Sequence, residues 1–171
     1  MSLTNLYSYV NHIPTLTGGI GARELFRFYR DFFIPSTPPT WRIQLVSRTE
    51  GVNRIVDEMI VKFRHTKEIP WMLPGVPPTN KEVEVALVSI VAIRGGKLCH
   101  EHIYWDQATV LVQIGALDPQ LVPQALKSQG CKRLPVAGAE AAKKVLDKSS
   151  IQSNDLIPNW SSGPNNANKD T

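Results

Sequence analysis

Four stretches of the chain combine an alternation of apolar and polar positions with a high content of β-branched residues. They are 42–48, 55–65, 83–93 and 98–105. A turn around Gly51 separates the first pair, and a Gly95-Gly96 pair separates the second. Because short glycine-containing turns join antiparallel neighbours, the pattern predicts one antiparallel sheet over 41–106.

The spacing of apolar residues becomes helical upstream of these strands. Aromatic and leucine side chains recur at helical intervals over 22–33, and Pro35 ends the pattern. This stripe predicts a helix over 22–34 that packs on the sheet. Further helices are expected from Gln107 and over 137–148, outside the sheet.

The remaining segments have the composition of loops or short strands. Residues 6–10 suit a short strand. The glycine cluster in 17–21 predicts a plain loop and the start of a helix, since it has neither the dinucleotide nor the Walker spacing. Residues 69–80 are proline-rich yet apolar, which predicts an irregular apolar loop. The Asn- and Ser-rich residues 149–171 predict a disordered polar tail after a single domain over 1–148.

Composition limits the classes of protein to consider. The chain has 171 residues, 42% of them hydrophobic, and a net charge of +4. Its basic residues are scattered among acids, which argues against nucleic-acid binding. The longest apolar run, 86–93, falls short of the roughly 20 residues that cross a bilayer. The first ten residues do not resemble a secretory signal, and two cysteines favour free thiols, so a cytoplasmic protein is expected.

One strand of the predicted sheet carries an unusual number of polar side chains. His100, His102, Tyr104 and Asp106 alternate with Glu101 and its apolar neighbours. Because strand side chains change face at every residue, these four lie in one row. A polar row is costly to bury unless it is hydrogen-bonded, which makes it the best candidate for a site.

The central part of the chain resembles the SnoaL-like polyketide cyclases of the nuclear transport factor 2-like superfamily. The elements that carry the resemblance are His65-Thr66, Pro74–Thr79, the 83–93 strand, Arg94–Leu98 and Glu101–Asp106. The resemblance implies an α+β fold in which a curved, mostly antiparallel sheet forms a cone around a helix, with C-terminal helices outside. It also implies a pocket that works without cofactor or metal.

The resemblance raises one expectation about assembly. Members of this superfamily typically begin with helices that close the mouth of the cone, and the chain reaches its first strand-like segment within ten residues. A shortened version of the domain, or a partner subunit that covers the cone, would account for this. We therefore expect a homodimer, because an uncovered sheet exposes more apolar surface than a monomer normally tolerates.

The candidate catalytic residues are Asp106, His102 and His65. Asp106 stands where the family has a pocket carboxylate, so it is a general acid or base, or else the cap of the next helix. His102 and His65 are placed to relay a proton or orient a carbonyl, although structural histidines are common in strands. His100, His102 and Asp106 are also metal-ligand types, but the resemblance implies no metal.

Three further residues are candidates for substrate binding. Tyr104 offers a hydroxyl donor, Trp71 an apolar wall, and His12 lies near the first strand. The resemblance implies a cofactor-independent cyclisation, isomerisation or hydrolysis of a small apolar carbonyl compound. The alternative is a non-catalytic protein that uses the same fold for ligand binding or dimerisation.

Overall fold

The computed structural model describes residues 8–160, in which a six-stranded sheet is the main element. Its strands are β1 (Tyr9–His12), β2 (Thr17–Ile20), β3 (Arg42–Glu50), β4 (Arg54–Arg64), β5 (Glu82–Arg94) and β6 (Lys97–Trp105). Their order across the sheet is β2-β1-β6-β5-β4-β3. The fold is α+β, with a curved and mostly antiparallel sheet forming a cone around a helix.

The four predicted central strands form consecutive antiparallel pairs, as their alternation indicates. Gly95 and Gly96, which connect β5 to β6, have φ values of 56° and 71°. Two successive positive φ angles match the tight hairpin turn that follows the twist of the strands, and glycine adopts them without strain. The predicted sheet over 41–106 is confirmed.

The sheet extends beyond this antiparallel unit through β1 and β2. Strand β1 pairs with β6 in parallel, and β2 returns antiparallel to β1. The prediction of a plain loop over 17–21 is therefore wrong for the residues of β2. A Cβ on Gly18 would lie 1.9 Å from the carbonyl oxygen of Val10, so glycine permits the close approach of these two strands.

The predicted helix over 22–34 is present in two parts. Helix α1 covers Gly21–Arg27 and continues as a π-helix over Phe28–Phe33. Leu25 and Phe28 are buried, whereas Phe26 and Phe32 on the same segment are exposed. The aromatic stripe thus contributes to the core with one side of the helix only.

The main core lies on the sheet face that carries the odd-numbered residues of β4, β5 and β6, together with the proline-rich loop. Ile69, Trp71, Met72 and Leu73 of that loop are buried, as expected for an apolar loop. The C-terminal helices are α2 (Gln107–Gln113), α3 (Gln124–Lys127) and α4 (Glu140–Leu146). Of these, α2 and α4 contact β5, and Val110 of α2 and Ile114 at its end belong to the main core.

The two ends of the chain are described only in part. Residues 149–160 form turns and bends, and the rest of the predicted tail, 161–171, lies outside the described residues. The start of the predicted strand over 6–10 lies outside them too. Within 8–160, no helix combines the length and the hydrophobicity that crossing a bilayer requires.

Candidate functional site

A cavity of about 550 Å³ lies between the inner face of the sheet, the π-helix and Trp71. This volume is in the range of small-molecule pockets. Most of its wall is apolar and comes from alternate residues of β4, β5 and β6. These include Ile55, Met59, Val61, Leu87, Val91, Ile93 and Ile103. The wall also contains the polar residues Arg48, Asp57, Ser89, Glu101 and His12.

Three of the polar residues form a string across neighbouring strands. Asp57 of β4 is the cross-strand partner of Ser89 of β5. The Ser89 hydroxyl donates a hydrogen bond of 2.7 Å to Glu101 Oε1 on β6. Because side chains on one face repeat every second residue, the strand register by itself aligns these three groups on the cavity wall.

Glu101 is a carboxyl group whose pKa is raised by its surroundings. Burial raises its pKa, the Ser89 hydrogen bond lowers it, and the negative charge of Asp57 raises it further. The pKa of the Tyr29 phenol is also raised, mainly because the phenol is buried and further by the negative charge of Glu101. A carboxyl with a raised pKa on an apolar wall is suited to accept a proton and return it.

Asp57 is held as a carboxylate by an ion pair with Arg48. The Arg48 guanidinium donates two hydrogen bonds to the Asp57 oxygens, at 2.6 and 2.7 Å. This contact lowers the pKa of Asp57. Arg48 is on the exposed edge strand β3, so the pair lies toward the solvent side of the cavity. Glu101 is consequently the carboxyl of the described cavity wall that has no ion pair.

His12 lies among aromatic rings and is completely buried. Its ring centroid is 4.8 Å from that of Trp71 and 5.4 Å from that of Phe28. Its Nδ1 lies 3.2 Å from the Thr17 carbonyl oxygen, which can only accept, so Nδ1 carries the proton. Burial lowers the pKa of His12 to about 4, against the opposing effect of the Thr17 hydrogen bond. The ring is therefore neutral at pH 7, with Nε2 an acceptor.

Two buried polar atoms of this aromatic group have no partner among the described residues. They are His12 Nε2 and Trp71 Nε1. One is an acceptor and the other a donor. Both belong to residues that line the cavity, and both were predicted as substrate-binding residues. The structure places these two on the cavity wall, whereas their role in binding stays a prediction.

The polar row of β6 lies on the opposite face of the sheet, and its assignment to the pocket needs correction. His102 and Tyr104 are absent from the cavity wall, because Glu101 and Ile103 occupy the inward positions of β6. The His102 ring instead neighbours His100 and Tyr104 at 5.3 and 6.4 Å. The polar side chains of this row are partly exposed to solvent on this face. The free-energy cost of burying them, which was the reason for considering the row a candidate site, therefore does not arise.

Asp106 and His65 also lie away from the cavity wall. Asp106 is the N-cap of α2, where it accepts hydrogen bonds from the backbone N–H and the hydroxyl of Thr109. The helix-cap interpretation of Asp106 therefore describes its contacts. His65 is buried at the end of β4, 3.1 Å from the Thr79 hydroxyl, and burial lowers its pKa. The structure does not bring Asp106, His102 and His65 together on the cavity wall.

Sequence reasoning missed Glu101, Ser89 and Asp57. A signal was present, since each is a polar residue on a strand face whose other members are mostly apolar. Their alignment depends on the register between three strands, which the single sequence does not reveal. Across residues 8–160, no three His, Cys, Asp or Glu side chains are grouped to hold a metal ion.

The shape of the chain matches solved structures. A candidate SnoaL-like polyketide cyclase from Jannaschia sp. CCS1 superposes with a TM-score of 0.51 and 17% identity, over 68% of this chain and 75% of that one. The chain has a SnoaL-like fold. AclR of Streptomyces galilaeus, a candidate hydroxylase, superposes with a TM-score of 0.50 and 17% identity, over 74% of this chain and 77% of AclR.

Sequence comparisons give no match. No protein-family model matches the chain, and no curated protein matches it. A SnoaL-like fold can host unrelated chemistries, so its activity depends on the side chains in the cavity. In this chain those side chains are Glu101, Ser89, the Arg48–Asp57 pair, His12 and Trp71.

Proposed function

We propose that the chain binds a small, mainly apolar carbonyl compound in the cavity and promotes its cyclisation, isomerisation or hydrolysis by acid–base chemistry without a cofactor. One observation carries this proposal: Glu101, with a raised pKa and without an ion pair, lies on the wall of a ligand-sized apolar cavity. Such a carboxyl is suited to proton transfer.

Glu101 is the proposed proton acceptor and donor. As a carboxylate it takes a proton from the carbon next to the carbonyl group, and as a carboxylic acid it returns that proton to another atom of the intermediate. The hydrogen bond from Ser89 fixes the orientation of one carboxylate oxygen and leaves Oε2 for the substrate. The apolar surroundings favour this role, because they raise the basicity of the carboxylate.

Trp71 and His12 are proposed to bind the polar end of the ligand. The Trp71 Nε1–H can donate to an enolate or carbonyl oxygen, and the neutral His12 can accept from a hydroxyl group at Nε2. Both atoms lack partners among the described residues. Leaving a buried donor or acceptor unpaired is costly, so a ligand that pairs them gains that free energy on binding.

Ligand binding without chemistry is the second candidate function. It is favoured by the position of Asp106, His102 and His65, which are absent from the cavity wall. Among the residues described on that wall, Glu101 is the one carboxyl without an ion pair. Many multistep reactions use more than one acid–base group. The cavity and its buried donor and acceptor would serve a binding protein equally well.

A generic base-elimination reaction separates the two candidates before any natural substrate is known. In 5-nitrobenzisoxazole, a base removes the ring C–H proton, the N–O bond breaks, and a nitrile and a coloured phenolate form. We expect the protein to accelerate this reaction above buffer at equal pH. The rate should rise with pH around a midpoint above the ordinary glutamate pKa of about 4.3.

The variant Glu101→Gln tests the assignment, with Glu58→Gln as its matched control. Glu58 lies on the outer face of β4, away from the cavity wall. We expect Glu101→Gln to lower the elimination rate by about a hundredfold or more, and Glu58→Gln to leave it unchanged. An unchanged rate in Glu101→Gln would refute the acid–base role.

Binding is measured separately through the fluorescence of an apolar naphthalene dye. The dye should bind the wild type and Glu101→Gln with similar affinity, because glutamine preserves the size of the side chain. Val91→Phe, which narrows the cavity, should weaken dye binding. Dye binding with no elimination activity supports the second candidate, and equal dye binding in Val91→Phe would exclude the cavity as the ligand site.

A further inference from the structure

A second cleft, of about 260 Å³, lies on the sheet face opposite the cavity. Its centre is a row of cross-strand partners contributed by four strands. Arg54 of β4 pairs with Ala92 of β5, Ala92 pairs with His100 of β6, and His100 pairs with Tyr9 of β1. The wall also contains Arg94, at the end of β5, and the polar side chains of Asn53, Ser8 and Cys99.

The charges of this cleft are all positive or neutral. Arg54 and Arg94 line it, and none of the described residues that line it is a carboxylate. Among residues 8–160, neither arginine forms an ion pair. Of the carboxylates near in strand position, Asp57 and Glu101 line the cavity, and Glu50 of β3 is the cross-strand partner of Ile55, which also lines the cavity. Two guanidinium groups therefore face the cleft without a neutralising partner in the described part of the chain.

The shape of the cleft follows from a small residue between larger ones. Ala92 is 8% exposed and separates Arg54 from His100, which leaves a notch above its methyl group. The Tyr9 ring stacks on His100, with centroids 5.0 Å apart and planes 10° apart. This contact holds the imidazole at the edge of the notch. The arginines and the imidazole thus border one concave, polar space.

We propose that this cleft binds a small oxyanion of the phosphate class, held by the guanidinium groups of Arg54 and Arg94 and by the imidazole of His100. Guanidinium forks suit phosphate oxygens, and hydrogen bonds between opposite charges are stronger than neutral ones. The cleft lies across the sheet from Glu101, so the proposal does not depend on the function of the cavity.

The electrostatics of His100 support the same site. Burial lowers its pKa first, and the positive charges of His102 and Arg54 lower it further. The groups that face it are Tyr9 from β1, Arg54 from β4, Arg94 from β5, and Cys99 and His102 from β6. None of them is a carboxylate. A bound dianion would relieve the repulsion among the cations and favour the protonated imidazole.

A single small anion fits the cleft better than a nucleic acid. The other basic residues are scattered along the chain among acids, whereas polymer binding requires a continuous basic surface. The cleft is bordered by the Tyr9 and His100 rings and has a volume of about 260 Å³, which suits a small anion and not a polymer backbone. An oligonucleotide is therefore the competing ligand in the test.

The test is an NMR titration of the histidine ring signals of the full chain with inorganic phosphate. The chain has four histidines, and the His100 signal is identified by its loss in His100→Gln. We expect a saturable shift of this signal with phosphate near pH 7. Sodium chloride at the same ionic strength should produce no saturable shift.

Arg54→Gln should weaken phosphate binding by about tenfold or more, the effect expected for losing a charge-assisted hydrogen bond. Arg94→Gln is a second variant with the same expectation. Arg23→Gln, on the exposed side of α1 and without an ion pair in the described chain, is the matched control and should bind as the wild type does. Backbone amide spectra confirm that each variant is folded.

Three results would overturn the proposal. The first is a shift that is linear in phosphate or equally large with chloride, which indicates ionic screening only. The second is unchanged affinity in both Arg54→Gln and Arg94→Gln. The third is an oligonucleotide that binds more tightly than phosphate at equal phosphate concentration and loses no affinity in these variants.

Discussion

The neutral, buried His12 makes a quantitative prediction about stability and pH. Its pKa is about 4 in the folded chain, against an ordinary value of 6.5. The unfolded chain therefore binds the proton more readily, so the contribution of His12 to stability is complete above pH 6.5 and is lost as the pH falls toward 4. With these two values, lowering the pH from about 7.5 to about 5 reduces the free energy of unfolding by about 2 kcal/mol.

The perturbation that isolates this effect is His12→Gln, because glutamine does not titrate and its amide can still donate to the Thr17 carbonyl. The free energy of unfolding of both proteins is measured by urea denaturation at the two pH values. His65 and His100, whose pKa values are also lowered, are present in both proteins and cancel in the difference.

We expect the wild type to lose about 2 kcal/mol more than His12→Gln between the two pH values. In a chain of this size the same difference corresponds to about 4–8 °C in melting temperature. If both proteins lost equal stability, His12 would titrate normally. The conclusion that it is a neutral acceptor in the cavity wall would then be wrong.

Three further predictions concern other parts of the chain. Asp106→Asn should be nearly silent in stability and in benzisoxazole elimination, whereas Asp106→Ala should cost about 1 kcal/mol in urea denaturation, because it removes a helix cap. A large loss of elimination rate in folded Asp106→Asn would return this residue to the mechanism. Ser89→Ala removes the hydrogen bond that stabilises the Glu101 carboxylate, so the midpoint of the elimination pH profile should move upward; a downward shift would contradict this. Strand β3 is exposed throughout and ends the sheet, which predicts a homodimer in sedimentation at tens of micromolar. A stable monomer would refute that prediction.

The central sheet was predictable because its determinants are local. Alternation and β-branched residues identify β3 to β6, and the Gly95-Gly96 pair specifies a tight turn whose φ angles other residues adopt with strain. The first helix was predictable from its aromatic spacing in the same way. Strand β2 was missed, since glycine normally disfavours strands and is required there only by the close approach of β1.

The candidate site was not predictable in this way, because alternation distinguishes the two faces of a strand but does not indicate which face is enclosed. Alternation along the sequence is enough to place His100, His102 and Tyr104 on one face of β6 and Glu101, Ile103 and Trp105 on the other. The second face is enclosed because the helix and the Trp71 loop pack on that side, which is a property of the tertiary structure. The physical reason is the cost of burial. Enclosing Ile103 and Trp105 with one hydrogen-bonded carboxyl costs less than enclosing two imidazoles and a phenol.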